Sequence, residues 1–235
     1  ASNGAVLSLV NTATAKGTSA VAIGTEANAS TTNALAVGTS TVSSGDGSVA
    51  VGSGSKATGA SAVAVGAGAY AKEHGAVALG NNVNVETNKA VGVGFALTVR
   101  KAGATNIGYY STVNANQALS GGARNDVDEV AQYGTAVGYF VKVTAKNGVA
   151  IGSSNDNNGN SDTGRTLASA DSAVAIGTSA HAEAASAVGI GTRAKAQLAH
   201  SVALGEGSTT VEADGTATTG YLTNDAVNNT GNGII

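Results

Sequence analysis

The stretch SAVAIGTEANAS, residues 19–30, decides the fold, because its first half returns along the chain at one spacing. Hexapeptides of the same form, SAVAIG, NALAVG, GSVAVG, SAVAVG, GAVALG and KAVGVG, close on Gly24, Gly38, Gly52, Gly66, Gly80 and Gly94, each 14 residues after the last. The form returns as NGVAIG at Gly152, SAVAIG at Gly177, SAVGIG at Gly191 and HSVALG at Gly205. The last three are again 14 apart, and the 25 residues from Gly152 to Gly177 are one repeat plus 11. A fixed period of this kind marks stacked repeats, each contacting its neighbours.

Within each repeat, branched residues stand three and one before the glycine, as in Val21/Ile23, Leu35/Val37 and Val188/Ile190. Only Ala or Gly lies between them. Alternation of large and small at period 2 predicts a strand with its branched residues on one face. The expectation is that the branched face points into the coil and the small face points out. The small row, Ala22, Ala36, Ala50, Ala64, Ala78, Ala150, Ala175 and Ala203, would then be a flat lengthwise interface between chains. Past each glycine, pairs such as Ala27/Ala29, Ala69/Ala71, Val83/Val85, Ala180/Ala182 and Ala194/Ala196 predict a second short strand with small residues inside. Its outer positions are mixed, as in Glu26/Asn28 and Arg193/Lys195. The predicted architecture is all-β, a parallel β-roll (solenoid) of 14-residue repeats. An Ala-rich helix is excluded, since glycine interrupts every repeat and no 3.6-residue period exists.

Composition agrees with a thin structure. The 235 residues include 34 Gly and no Pro, Cys, Met or Trp, with 3% aromatic and 11% charged residues. The charged share falls far below the usual figure of roughly 25%. Ala and Val supply most of the apolar fraction and cannot fill a thick core, so partner chains are expected to complete it. A net charge of −3 offers no basic footprint for nucleic acid. No run approaches 18 apolar residues, so no membrane span is expected. The opening ASNGAVLSLV lacks the features of a signal peptide.

Three stretches depart from the rhythm. Residues 105–134 read as irregular coils, and Phe95, Tyr109, Tyr110, Tyr133, Tyr139 and Phe140 gather around them. Here Tyr109, Tyr110, Arg124, Asp126 and Asp128, with Arg165 farther on, are the candidate ligand contacts. Residues 155–171 are polar and glycine-rich and predict an exposed insertion. Its Asp156, Asn158 and Asn160 mimic a calcium loop but lack the glycine and terminal Glu that such a loop needs. Residues 1–208 form the expected roll, and 209–235 read as a connector leaving it.

No nucleophile–base triad, phosphate loop or metal constellation is present in the pattern. His74, His181 and His200 occupy different positions of their repeats. Catalysis, a cofactor, a metal and a small-molecule substrate are therefore not expected.

The hexapeptide every 14 residues with its A-x-A-like step closely resembles the head domains of trimeric autotransporter adhesins, the YadA-like heads, over about residues 19–208. The resemblance implies a left-handed β-roll assembled as a homotrimer and displayed on the outer membrane of a Gram-negative bacterium. It also implies a neck approached by the tail TTGYLTNDAVNNTGNGII, then a coiled-coil stalk and membrane barrel. Implied partners are extracellular matrix proteins, host cells or other surfaces, a virulence-type adhesion. Two other solenoid functions are weighed against it. An ice- or crystal-binding face would need a regular Thr or Asn array, whereas Glu26/Asn28, Lys56, Tyr70 and Arg193/Lys195 are heterogeneous. A polysaccharide-cleaving solenoid would need clustered carboxylates at matching positions.

Overall fold

The computed structural model describes residues 12–155 and 164–211, together with the strand Ala5–Leu7. The chain divides into two compact units, Ala1–Val113 and Asn114–Ile235, built on the same plan. Every repeat contributes a longer strand and a two-residue strand, and each kind stacks into its own parallel sheet.

In the first unit the longer strands are β1 (Ala5–Leu7), β3 (Val21–Ile23), β5 (Leu35–Val37), β7 (Val49–Val51), β9 (Val63–Val65), β11 (Val77–Asn81), β13 (Val91–Phe95) and β15 (Thr105–Tyr109). The short ones are β2 (Thr14–Ala15), β4 (Asn28–Ala29), β6 (Val42–Ser43), β8 (Lys56–Ala57), β10 (Tyr70–Ala71), β12 (Asn84–Val85), β14 (Thr98–Val99) and β16 (Thr112–Val113). In the second unit the longer sheet holds β17 (Leu119–Ala123), β19 (Thr135–Tyr139), β21 (Val149–Ser153), β23 (Val174–Ile176), β25 (Val188–Ile190) and β27 (Val202–Leu204). Its short partners are β18 (Asp126–Val127), β20 (Lys142–Val143), β22 (Leu167–Ala168), β24 (His181–Ala182), β26 (Lys195–Ala196) and β28 (Thr209–Thr210). Register follows the repeat: Val21 pairs Leu35, Ala22 pairs Ala36 and Ile23 pairs Val37. The result is the expected all-β parallel solenoid.

The faces of the longer strand are reversed relative to the sequence expectation. Ala22, Ala36, Ala50, Ala64, Ala78, Ala150 and Ala175 are 0% exposed and Ala203 only 1%, all within a single chain. They point into the coil and have no surface to offer a partner, so they are not an interface. The branched residues beside them, such as Val21/Ile23 and Leu35/Val37, point outward and remain partly exposed. The reason is space. The two sheets lie so close that methyl groups from either side fill the gap, as where Ala20, Ala22, Ala27, Ala29, Ala34 and Ala36 pack together. The second strand does face as expected, with Ala27, Ala29, Val83, Val85, Ala180 and Ala182 fully buried.

Most closing glycines are demanded twice over, by a positive φ and by the next coil; Gly152 lacks the first and Gly205 the second. Gly24 has φ +120°, and a Cβ there would stand 2.6 Å from the carbonyl oxygen of Gly38 in the next coil. The strand can therefore bend and stack only without a side chain at that point.

The stretch 105–134 is regular, correcting the expectation of irregular coils. Gly108 and Gly122 are closing glycines with φ of 140° and 120°, and β15 pairs β13 with Thr105 opposite Val91. The true change is two extra residues in the turn between Val127 and Thr135, where seven residues stand against the five between Val113 and Leu119. Asn125 braces this coil. Its Oδ1 accepts the Val141 N–H at 3.0 Å, and its Nδ2 donates to the Gly121 carbonyl at 2.9 Å. The 11 extra residues of the insertion fall between β21 and β22, and Val149 still pairs Val174. Asp156, Asn158 and Asn160 lie outside the described residues, as does the connector from residue 212. Thr209 and Thr210 still belong to the roll as β28.

Candidate adhesive surface

Each coil presents three outward rows. The first is the branched row of the longer strand. It continues as Val63/Val65, Val77/Leu79, Val91/Val93 and Thr105/Ile107 in the first unit. In the second unit it includes Val149/Ile151, Val174/Ile176, Val188/Ile190 and Val202/Leu204. Val65, Ile107, Ile151 and Leu204 are among the exposed large apolar residues of the isolated chain. In each unit the row is thus a largely apolar strip that stays partly exposed on a single chain.

The second row is the outer face of the short strands. It reads Asn28, Val42, Lys56, Tyr70, Asn84, Thr98 and Thr112 in the first unit, and Asp126, Lys142, Leu167, His181, Lys195 and Thr209 in the second. Asp126 stands opposite Lys142 here. His181 is nearly buried, and its Nδ1 lies 2.8 Å from Glu183 Oε1. Gln197 Nε2 donates to the other oxygen of Glu183 at 2.9 Å. Burial raises the Glu183 carboxyl, but the hydrogen bonds from Gln197 and His181, with the charges of His181 and Lys195, hold it below its ordinary value. This cluster escaped sequence reasoning because the three residues belong to two adjacent coils and no motif links them.

The third row lies at the corner where the chain passes each closing glycine and turns into the short strand. Tyr109 and Tyr110 meet here, with ring centroids 4.4 Å apart and nearly perpendicular. Phe95, absent from the sequence candidates, completes the cluster by stacking on Tyr109 at 5.5 Å. In the second unit Arg124 and Arg165 converge on one ring, their guanidinium carbons 5.1 and 5.8 Å from the Phe140 centroid. Tyr139 packs edge-on against the same ring at 4.7 Å. Asp128 sits apart in the enlarged turn, its carbonyl accepting the Ala131 N–H at 3.0 Å. The six candidates thus fall into the Tyr109/Tyr110 pair, the Arg124/Arg165 pair, and Asp126 and Asp128 separately. Counting 14 onward from Gly94 would have placed Phe95 and Tyr109 at one coil position.

The YadA head domain repeat matches in overlapping windows at residues 15–41, 32–55, 43–69, 57–82, 168–194 and 182–208. Residues 15–82 and 168–208 are YadA-like head repeats. The windows cover the coils on either side of residues 83–167; within that gap several inner residues are larger, and the described residues keep the same two-strand plan without a match. No curated protein matches the chain significantly. The YadA-head family is non-enzymatic in general. Among the described residues no group of three His, Asp or Glu side chains could hold a metal ion.

Proposed function

We propose that this YadA-like head is the adhesive tip of a homotrimer, with three left-handed rolls packed about one axis through their outward branched rows. The observation that carries the reading is the Val/Ile/Leu row, interrupted only at Thr105, Gly121 and Thr135, on a chain with YadA head repeats. A core of alanines buries little apolar area per coil, and covering the branched row by two neighbours adds the missing burial. The interface expected at Ala22 and its equivalents moves one residue to either side, to Val21 and Ile23.

The corner and short-strand rows then face outward on every copy, and their varied side chains make many weak contacts. Three copies per head and many heads per cell convert these into firm attachment. Matrix proteins, host cells or other surfaces are the proposed targets, with the head held outside a Gram-negative outer membrane by a stalk and anchor.

Light scattering combined with solid-phase binding tests this. The expected mass is three times the 22.4 kDa of the chain. Val37→Asp together with Val65→Asp, which places buried charges in the interface, should yield single chains and weaken surface binding by about two orders of magnitude through lost avidity. A monomeric wild-type head, or a wild-type trimer that binds no matrix protein, cell or surface, would refute the proposal.

A further inference from the structure

The corner row is polar or small in most coils: Thr25/Glu26, Thr39/Ser40, Ser53/Gly54 and Thr192/Arg193. Its groups are solvated there. Ser40 donates to Glu26 at 2.7 Å, and Arg193 pairs with Glu206 while both remain well exposed. The corner therefore meets water. At β13 and β15 it carries Phe95, Tyr109 and Tyr110 instead, which are 39%, 47% and 52% exposed. Unlike Phe140, which two guanidinium groups cover, this aromatic cluster stands exposed at a corner that is polar or small in most coils, an apolar patch that needs an occupant.

Its neighbours define the chemistry. Parallel pairing places Asn81, Phe95 and Tyr109 in line across β11, β13 and β15. The following residues, Asn82, Ala96 and Tyr110, are all left-handed, with φ of 52°, 51° and 50°. Backbone hydrogen bonds hold them: the Ala96 N–H donates to the Asn81 carbonyl at 2.9 Å and the Tyr110 N–H to the Phe95 carbonyl at 3.0 Å. Ala96, with only a methyl group, stands between Asn82 and Tyr110, whose backbones are about two strand spacings or roughly 10 Å apart, and the Phe95 ring packs on Tyr110 with centroids 5.6 Å apart. Asn82 Nδ2 donates to Asn81 Oδ1 at 2.8 Å, so the two amides form one exposed polar edge. None of these six residues is ionic.

We propose that this corner binds a neutral hexopyranose unit of a glycan. The apolar C–H face of the sugar lies on the ring cluster, and its hydroxyls bond to the Asn81 and Asn82 amides and the tyrosine hydroxyls. None of these six residues offers a cation to a phosphate-, sulfate- or carboxylate-bearing ligand, so a neutral sugar is the favoured occupant. The rigid backbone frame limits the ordering entropy lost on binding. Three corners per assembly would raise a weak single-site affinity. This deepens the adhesion reading by naming a ligand class for one surface.

The test is a titration of the full chain with lactose, cellotetraose and chitotetraose, against 3′-sialyllactose and a heparin fragment, followed by NMR and by tyrosine emission. At least one neutral sugar should bind at millimolar strength and shift the aromatic signals. Phe95→Ala and Tyr110→Ala should each weaken it about tenfold, as for a stacked hot-spot ring, while Tyr133→Ala leaves it unchanged. Overturning results are the absence of neutral-sugar binding, equal binding by Phe95→Ala and Tyr110→Ala, preference for the acidic probes, or a drop in solution mass on Tyr110→Ala, which would make the cluster a chain–chain contact. Adhesion to matrix proteins is measured separately on the same variants. Sugar binding without adhesion sinks the adhesion reading alone, and adhesion without sugar binding sinks this one alone.

Discussion

The coils over residues 19–80 and those over residues 89–143 use one backbone plan with two different interiors. In the earlier coils the inner positions are alanine or small hydroxyl residues, as in Ala20, Ala22, Ala27 and Ala29 and in Thr41, Ser43, Ser48 and Ser55. In the later ones Leu97, Val99, Asn106, Val113, Val127, Val141 and Val143 point inward. The extra volume is offset locally. Gly92 replaces the usual inner alanine, and a Cβ there would stand 2.7 Å from Val83 Cγ1. Gly148 plays the same part against Val143 Cγ1, 2.8 Å away. The lesson is that one coil plan admits larger inner residues, in places where a glycine opposite makes room, rather than requiring alanine at every inner position. Its exterior is free to diversify where the interior is restocked, and the aromatic corner occurs in that second region.

The largest expected effect comes from breaking what the two regions share. Gly66→Ala should destabilise the chain by about 3 kcal/mol or more, since its φ is +129° and the new Cβ would strike the Gly80 carbonyl. Thermal unfolding followed by circular dichroism reads this. A step smaller, Ala36→Val overfills an alanine core and should cost about 1–3 kcal/mol, whereas Val37→Ala on the outward face should leave the isolated chain within about 0.5 kcal/mol. Equal effects at the two positions would contradict the inward-alanine assignment. In the later region Gly92→Ala should destabilise by about 1–2 kcal/mol, and adding Val83→Ala should recover part of that loss. Denaturant titration of the four-member cycle measures the coupling.

The smallest effect is a pH dependence at Glu183. Its carboxyl titrates lower in the folded chain than unfolded, because the bonds from Gln197 and His181 outweigh its burial. A depressed folded value means that the carboxylate contributes stability above the unfolded value, lost as pH falls through the folded one. Stability should therefore decline slightly below pH 4.5, and Gln197→Ala should reduce the slope. An unchanged slope in Gln197→Ala would remove that hydrogen bond from the account.

Repeat length, strand positions and the solenoid class were legible because 14-residue spacing and period-2 alternation are local properties. Which face turns inward was not. Alternation identifies two faces but carries no sign, and the ordinary rule that larger apolar residues go inside fails when the sheets are too close for Val against Val. Val37 and Ala36 look like core and surface, and in one chain they are the opposite. The Tyr109/Tyr110 pair was legible as a candidate because aromatics are scarce in this chain. Arg165 against Phe140 was less so, as the insertion separates them in sequence while the coil returns one above the other. The His181–Glu183–Gln197 cluster left no trace, since its meaning lies in cross-coil spacing that any polar residues could share.

The insertion after β21 carries a practical consequence. Eleven additional residues stand in the sequence between β21 and β22, and Val149 with Val174, Ala150 with Ala175 and Ile151 with Ile176 remain in step. The corner is thus a natural grafting port. A peptide epitope or a small tag spliced after the residue equivalent to Ser153 in another coil should be displayed without shifting the strands below it, giving protein engineers addressable positions at 14-residue intervals.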